Sequence, residues 1–549
     1  RIDNTHSEYE GKLYASSSNT LTDGSSQGHY TVNNGQYSQT YADVLVNINK
    51  RIQDFTIVAN IGASYSGVTS KELGYAGPIR ETGIPNLFNV YDLDNAKKRA
   101  TQVGWREATE SIFASAEVGW KSMLYLTVTG RNDWASQLTH SPQASFFYPS
   151  VGLSAVITEM LKLPDWVDYL KVRGSFSSVG NPYPRFLTYP TYSYDANKQD
   201  WKSQTNYPIG KLYPERTDSW EVGLDATLFK DFKLSGSFYY ANTYNQTFDP
   251  RLPVSSGYDK LYVQTGYVRN YGFEAMLSYG HRWGDFGWDS SFTFSANKNE
   301  IVELVKDYVH PETGKTYNVD KLELKTDEGR GFGKAKFILK EGGTLGDLYT
   351  HADLKRDING NILIDDSGNV TAIDNAGDIK LGSVLPKANL AWNNSFSYKG
   401  INAGFLLTAR LGGIVYSATQ AYLDLYGVSE TSAAARDAGG VWINGRSRVN
   451  PQSFYEVVAS QSGLPTYYTY SATNLRLQEA HIGYTVPRRW LGNVCDINVS
   501  LVGRNLWMIY CKAPFDPEAV ATTNNYYQGI DYFMMPSTRN IGFNIKINF

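Results

Sequence analysis

The carboxy-terminal stretch Ser537 to Phe549 reads STRNIGFNIKINF, and the whole fold turns on how it is read. Ile541, Phe543, Ile545, Ile547 and Phe549 fall on one side of a period-two chain, with Asn540, Gly542, Asn544, Lys546 and Asn548 on the other. A strand with one greasy and one wet face either lines the core of a soluble sandwich or turns its greasy face to lipid in a membrane barrel. A terminal aromatic suits the last strand of such a barrel, where Phe549 would belong to the signal read by barrel-assembly machinery.

Composition narrows the choice. The chain has 549 residues, 54 acidic against 51 basic, 41 Tyr and 49 Gly. No Pro/Ser-rich linker or shift in composition divides it, so one repetitive architecture is expected over several soluble domains. A net charge of -3 argues against a nucleic-acid partner. No run of about 18 apolar residues could form a membrane helix, but barrel strands leave no hydropathy peak either. Cys495 and Cys511 sit on one continuous extended segment, roughly 50 Å apart, and should not pair.

Outward from the terminus, alternation recurs in pairs. Tyr41 to Ile48 and Phe55 to Tyr65 form a first hairpin. A long polar stretch reaching Arg106 follows. Further pairs are Ala108 to Val118 with Met123 to Arg131, Ser150 to Thr158 with Tyr169 to Ser177, and Ser219 to Leu228 with Lys233 to Tyr244. Val268 to Tyr279 pairs with Trp288 to Asn297, Ala388 to Tyr398 with Asn402 to Arg410, and Leu475 to Val486 with Asp496 to Arg504. With the final strand this gives about fifteen strands of membrane-spanning length. Turns inside pairs are short, as at Phe229 to Asp231 or Lys399-Gly400, and connections between pairs are long. That asymmetry is expected of a barrel with short periplasmic turns and long extracellular loops. A soluble propeller or sandwich stack should have short turns at both ends. Glu221, Gly223, Asp225 and Thr227 oppose Val222, Leu224, Ala226 and Leu228, while Lys171, Arg173 and Ser175 oppose Leu170, Val172 and Phe176, which suits an aqueous lumen. Trp120, Trp166, Trp220, Trp283, Trp288, Tyr398 and Trp490 gather near strand ends, as interfacial girdles would. On this reading the first and last strands both run toward the periplasm, and the count is odd. Bacterial barrels close on an even number, so residues 1–549 are expected to be the carboxy-terminal part of a larger barrel. The count requires Phe332 to Tyr349 to add no strand, or two.

A series of ordered motifs adds a family likeness. GRNDWASQL (Gly130 to Leu138), FFYPSVGLSAVITE (Phe146 to Glu159), LKVRGSFSSVGN (Leu170 to Asn181) and LYPERTDSWEVGLDATLF (Leu212 to Phe229) come first. NYGFEAML, LGSVLPKANLAWNNSFSYKG, ATNLRLQEAHIGYTVP, GRNLW and FDPEAV follow in order. Together they resemble the SusC-like family of TonB-dependent outer-membrane transporters, over nearly the whole chain. The resemblance implies a 22-stranded barrel with an amino-terminal plug in the outer membrane of a Gram-negative bacterium. It also implies import of oligosaccharides, or of peptides in some members, without enzymatic chemistry or a cofactor. A SusD-like surface lipoprotein would close over the mouth as a lid, the TonB complex would supply energy, and two such pairs could form a dimer. The plug and its TonB-contacting segment are expected to lie outside this sequence, as are about seven strands. A passive porin or an outer-membrane adhesion barrel is the alternative.

Candidate chemistry is sparse. Asp357, Asn359 and Asn361 are spaced like the start of a calcium loop, but an EF-hand's closing carboxylate would fall at Gly368, and Asn359-Gly360 and Ser367-Gly368 also read as hairpin turns. Gly329 to Lys334, GRGFGK, lacks the full spacing and the Ser/Thr of a phosphate-binding loop. His140-Ser141 has no readable acid partner. Aromatic loop residues are the best ligand candidates. Tyr189, Tyr192, Tyr194 and Trp201 lie in the loop after Asn181, and Phe515, Asp516, Tyr526, Tyr527 and Tyr532 in the last one. Aromatic faces beside Asn and Asp suit sugar rings, equally suit a protein lid, and equally suit packing of loop on loop.

Overall fold

The computed structural model describes residues 1–16, 19–187, 191–195, 200–203, 206–207, 212–248, 260–261, 263–309, 314, 316–324, 331–492, 494–522 and 528–548. Tyr189, Tyr526, Tyr527 and Phe549 lie outside the described residues.

Sixteen strands form one antiparallel meander in sequence order. They are β1 Ile2–Tyr14, β2 Gly28–Ile52, β3 Phe55–Pro78, β4 Arg99–Trp120, β5 Leu124–Ala135, β6 Ser145–Val156, β7 Val167–Asn181 and β8 Glu215–Leu228. There follow β9 Phe232–Phe248, β10 Val263–Trp283, β11 Phe286–Glu303, β12 Ala388–Tyr398, β13 Ile401–Leu411, β14 Asn474–Val486, β15 Asp496–Cys511 and β16 Asn540–Asn548. Tight turns mark one end. At β12–β13 Lys399 and Gly400 both take positive φ, 46° and 91°, as a two-residue hairpin that follows the strand twist requires.

The fifteen strands expected are present, and a sixteenth precedes them. β1 pairs with β2 from Ile2↔Thr40 to Tyr14↔Gly28, so the first strand runs away from the short-turn end and the odd-count argument is corrected. The same cause explains the polar stretch before Arg106. Both of its ends are strand: β2, β3 and β4 continue past the membrane, His29 to Gln39 pairing with Val68 to Pro78, and Leu73 to Ala76 with Arg99 to Gln102, so that only residues 79–98 form the connection. Above the bilayer both faces of a strand are wet, so alternation vanishes while the backbone ladder persists. At 25, 24 and 22 residues, these strands are about twice the 9 to 11 residues a crossing needs.

Cross-strand register aligns the faces. Phe543 sits opposite Leu501, which sits opposite Ile482, and all three are exposed. The greasy side of the terminal stretch therefore faces outward, toward lipid. At the short-turn end Trp166 stacks on Phe229 (5.6 Å) and Tyr279 meets Trp288 (5.2 Å), while Trp288 stacks on Phe396 (6.3 Å). These rings form the periplasmic girdle.

The buried apolar core lies in the long loops. Short strands Lys321–Glu323, Ala335–Lys340, Asp347–Thr350 and Ile379–Ser383 make a small sheet of their own, so Phe332 to Tyr349 adds nothing to the barrel. Helices Ala418–Leu425, Glu430–Asp437 and Pro451–Val458 pack beside it. Phe337, Leu348, Tyr416, Phe454, Val458 and Ile530 meet in one cluster. The loops after β11, β13 and β15 thus build a single folded cap over the extracellular end.

Candidate functional site

The inner wall comes first. Arg173 on β7 donates from Nη1 to Asp225 (2.9 Å) and from Nη2 to Glu221 (3.1 Å), both on β8. Ser235 on β9 donates to the other Asp225 oxygen at 2.7 Å. The faces assigned from sequence hold, because Gly223, lacking a side chain, sits opposite Arg173 and a Cβ there would lie 2.6 Å from its guanidinium carbon. Beside this network a concavity of about 780 Å³ opens on the inner face, with Arg173, Glu274, Asn389, Arg410 and Glu518 among its lining. Hydroxyls, amides and both signs of charge face the lumen there.

The described aromatic candidates fall in three separate places. Tyr192–Asp195 and Asp200–Ser203 form a small hairpin that leaves Tyr192 66%, Tyr194 52% and Trp201 65% exposed. The Tyr194 and Trp201 rings lie 5.3 Å apart, tilted. Phe515 instead packs edge-on against Tyr470 at 5.5 Å. Asp516 accepts from Arg476 Nη2 at 2.6 Å, and both side chains are at most 10% exposed. Burial alone would raise the Asp516 carboxyl, but hydrogen bonds from Ser537, the Glu518 N–H and Arg476 outweigh it and hold it below the ordinary range. Among the described residues no hydrogen bond or ring contact joins the hairpin to Phe515 and Asp516. Tyr532 belongs to a third group, 4.4 Å from Phe332.

Sequence reasoning missed Arg476. It also donates to Asn505 at 2.9 Å, so it fastens the start of β14 to β15 and to the last loop. The available signal was an arginine set between Leu475 and Leu477 and an acid pair, Asp516 and Glu518, in FDPEAV. Deeper in the cap, Asp424 accepts from Tyr468 (3.0 Å), Gln420 (3.1 Å) and Ser429. Burial first, then the Asp424 charge, push the Tyr468 phenol far above its usual value.

Where they are described, the remaining motifs make local structural contacts. Asp357 accepts from the N–H groups of Asn359 and Asn361, both at 2.8 Å, and from the Asn361 amide. Asp365 repeats the turn with Ser367 and Asn369, and among the described residues no cluster of three acids, histidines or cysteines could hold a metal. Gly331 and Phe332 pair with Lys336 and Ala335 in a tight hairpin; Gly329 and Arg330 lie outside the described residues. Ser141 Oγ donates to the Leu212 carbonyl at 2.6 Å. Cys495 and Cys511 are both free, at the two ends of the β15 region.

A long antiparallel meander with a lipid-facing exterior, a polar inner wall and a folded extracellular cap defines an outer-membrane β-barrel receptor. Comparison with known proteins makes this specific. The family described as TonB dependent receptor-like, beta-barrel, matches residues 3–506, and the chain belongs to that family. It is 24% identical to TonB-dependent receptor P3 of Formosa agariphila over 524 residues, covering 88% of this chain and 50% of that protein. It is also 24% identical to TonB-dependent receptor SusC of Bacteroides thetaiotaomicron, covering 72% of this chain and 40% of that protein. In fold it resembles the RagAB peptide transporter structure, with a TM-score of 0.76, 18% identity and coverage of 100% of this chain and 59% of the other. The chain spans about half the length of the curated relatives it matches.

Proposed function

We propose that this chain is barrel and cap of a SusC-like importer, which passes oligosaccharides across the outer membrane with energy from the TonB complex. The polar inner wall beneath one large folded cap carries this reading, because a passive pore has no need of a cap with its own core. The remaining strands and a plug belong to a longer protein, in keeping with β1 and β16, each paired on one side only among the described residues. A SusD-like lipoprotein is the partner expected over the cap, where Tyr426 and Phe533 are exposed. The process is passage, not catalysis.

Tyr192, Tyr194 and Trp201 make the first contact with ligand, since flat exposed rings offer faces to sugar C–H groups. Phe515 and Asp516 act one step removed, by shaping the last loop; Tyr526 and Tyr527 complete the ligand-contact set. Peptides are the second reading, favoured by the mixed charges of Arg173, Glu274, Arg410 and Glu518 on the inner wall. The test is uptake of labelled oligosaccharide and peptide pools by cells carrying the full-length protein. Tyr194→Ala/Trp201→Ala should lower uptake several-fold at unchanged surface abundance, and a proton uncoupler should abolish it. Uptake indifferent to the uncoupler would favour the passive pore and sink the importer reading.

A further inference from the structure

The outer surface of β8 to β11 carries a feature that import does not require. Starting at the periplasmic girdle, the outward residues of β9 are Phe232, Leu234, Gly236 and Phe238, and their partners on β8, β10 and β11 are likewise uncharged. Tyr240 follows, about 27 Å along the strand from Phe232. With the usual tilt that distance spans most of the apolar band of a barrel. The row at that level is Trp220, Tyr240, Tyr271 and Lys298, and the next is Asp218, Asn242, Arg269 and Glu300. Charge begins where the bilayer's polar headgroups begin.

The two cations rest on a bed of rings. Lys298 Nζ lies 5.4 Å from the Tyr271 centroid. The Arg269 guanidinium lies 5.5 Å from both Tyr240 and Tyr267 and donates to the Tyr267 hydroxyl at 2.8 Å. Tyr240 stacks on Tyr271 at 6.3 Å and Tyr244 on Tyr267 at 4.9 Å. Nearby carboxylates leave these cations under-compensated. Asp218 is taken by Arg216 at 2.8 Å, Glu303 faces Lys306 at 3.9 Å, and Glu300 reaches Arg269 only at 3.9 Å. No carboxylate lies within 4.0 Å of Lys298 among the described residues, and Arg269 Nε is buried without a hydrogen-bond partner.

We propose that Arg269 and Lys298, set on Tyr240, Tyr271, Tyr244 and Tyr267, bind the phosphate of an outer-leaflet lipid headgroup against the barrel wall. Guanidinium and ammonium groups supply charge-assisted hydrogen bonds to phosphate oxygens. Tyrosines, amphipathic at the interface, pack on the glycan or glycerol portion and add hydroxyls. The rings restrict the cations' freedom beforehand, which lowers the ordering cost of binding.

The experiment uses full-length protein purified from outer membranes, delipidated, and titrated in native mass spectrometry. The probes are monophosphorylated lipid A, its dephosphorylated counterpart and inorganic phosphate. A phosphorylated-lipid adduct is expected, weakened at least tenfold in Arg269→Gln/Lys298→Gln and retained in Arg269→Lys/Lys298→Arg. Lys298→Gln alone alters one exposed side chain, so it serves if the double variant misfolds, with an expected loss of roughly fivefold. Equal binding by the Gln variants, or by the dephosphorylated lipid, overturns the proposal. Displacement of the lipid by equimolar inorganic phosphate overturns its lipid part, leaving a free-phosphate site. None of these outcomes depends on the transported cargo.

Discussion

Arg476 shows how much a single buried charge can decide. Its guanidinium joins Asp516, Asn505 and, more loosely at 3.4 Å, Glu518, tying the start of β14 to the last loop. Removing one partner of a buried pair leaves the other charge uncompensated, which costs about 3–5 kcal/mol. Asp516→Asn should therefore loosen residues 512–522, read as faster hydrogen exchange there with β15 unaffected. Because the folded Asp516 pKa is depressed, its stabilisation is complete above the ordinary carboxylate value near 4 and is lost as pH falls through the lower folded value. Wild-type exchange in this loop should rise only below about pH 4, and an unchanged exchange rate in the variant would sink the latch. From sequence, Asp516 reads as one ligand candidate among several aromatics. The arginine that pairs with it is 40 residues away along the chain, so only folding could show that its charge was already spent.

Among the elements, the cap helices behave as parts of a soluble protein. In Pro451–Val458, Asn450 caps the amino terminus by accepting from the N–H groups of Gln452 and Ser453, Pro451 supplies the first turn, and Phe454, Tyr455 and Val458 are buried. Phe454→Ala would empty a site in the cap core at a cost of about 3–5 kcal/mol. Proteolysis should then cut within residues 412–473 while the barrel keeps its heat-modifiable mobility in gels; simultaneous loss of both would mean that cap and barrel are one cooperative unit. The strands behave differently. Those meeting lipid on one face were legible by alternation, as in Val44, Val46 and Ile48 of β2. β1 and the upper halves of β2 to β4 were not, because both faces of the strand are wet around Asn33, Asn34, Glu72 and Gln102, where the backbone ladder and polar side-chain bonds such as Asn33 to Glu72 hold the strands.

For the whole molecule, the consequence is a tall β-wall above the membrane on the side of β1 to β4. Leu73 and Val103, 46% and 54% exposed, lie on this upper part, whereas Val44 and Val46 lie at bilayer depth. In a background with Cys495 and Cys511 replaced by Ser, Leu73→Cys and Val103→Cys should react on intact cells with a membrane-impermeant maleimide. Val44→Cys and Val46→Cys should not. Labelling of the second pair, or of neither, would contradict the membrane placement. The same placement sets the depth at which Arg269 and Lys298 leave the apolar band.

Taken alone, the sequence determined the barrel class, the strand pairing and the direction of the terminal stretch. Those follow from period-two alternation and turn length, which are local and repeat many times along the chain. Tertiary structure alone decided the sixteenth strand, the folding of three distant loops into one cap, and the separation of Tyr192, Tyr194 and Trp201 from Phe515 and Asp516. It also decided which charges remain under-compensated at the membrane surface. The physical reason is common to all of these: where water or a packed cap replaces lipid on one face, no short-range pattern is imposed, and contacts between residues far apart in the chain fix the outcome.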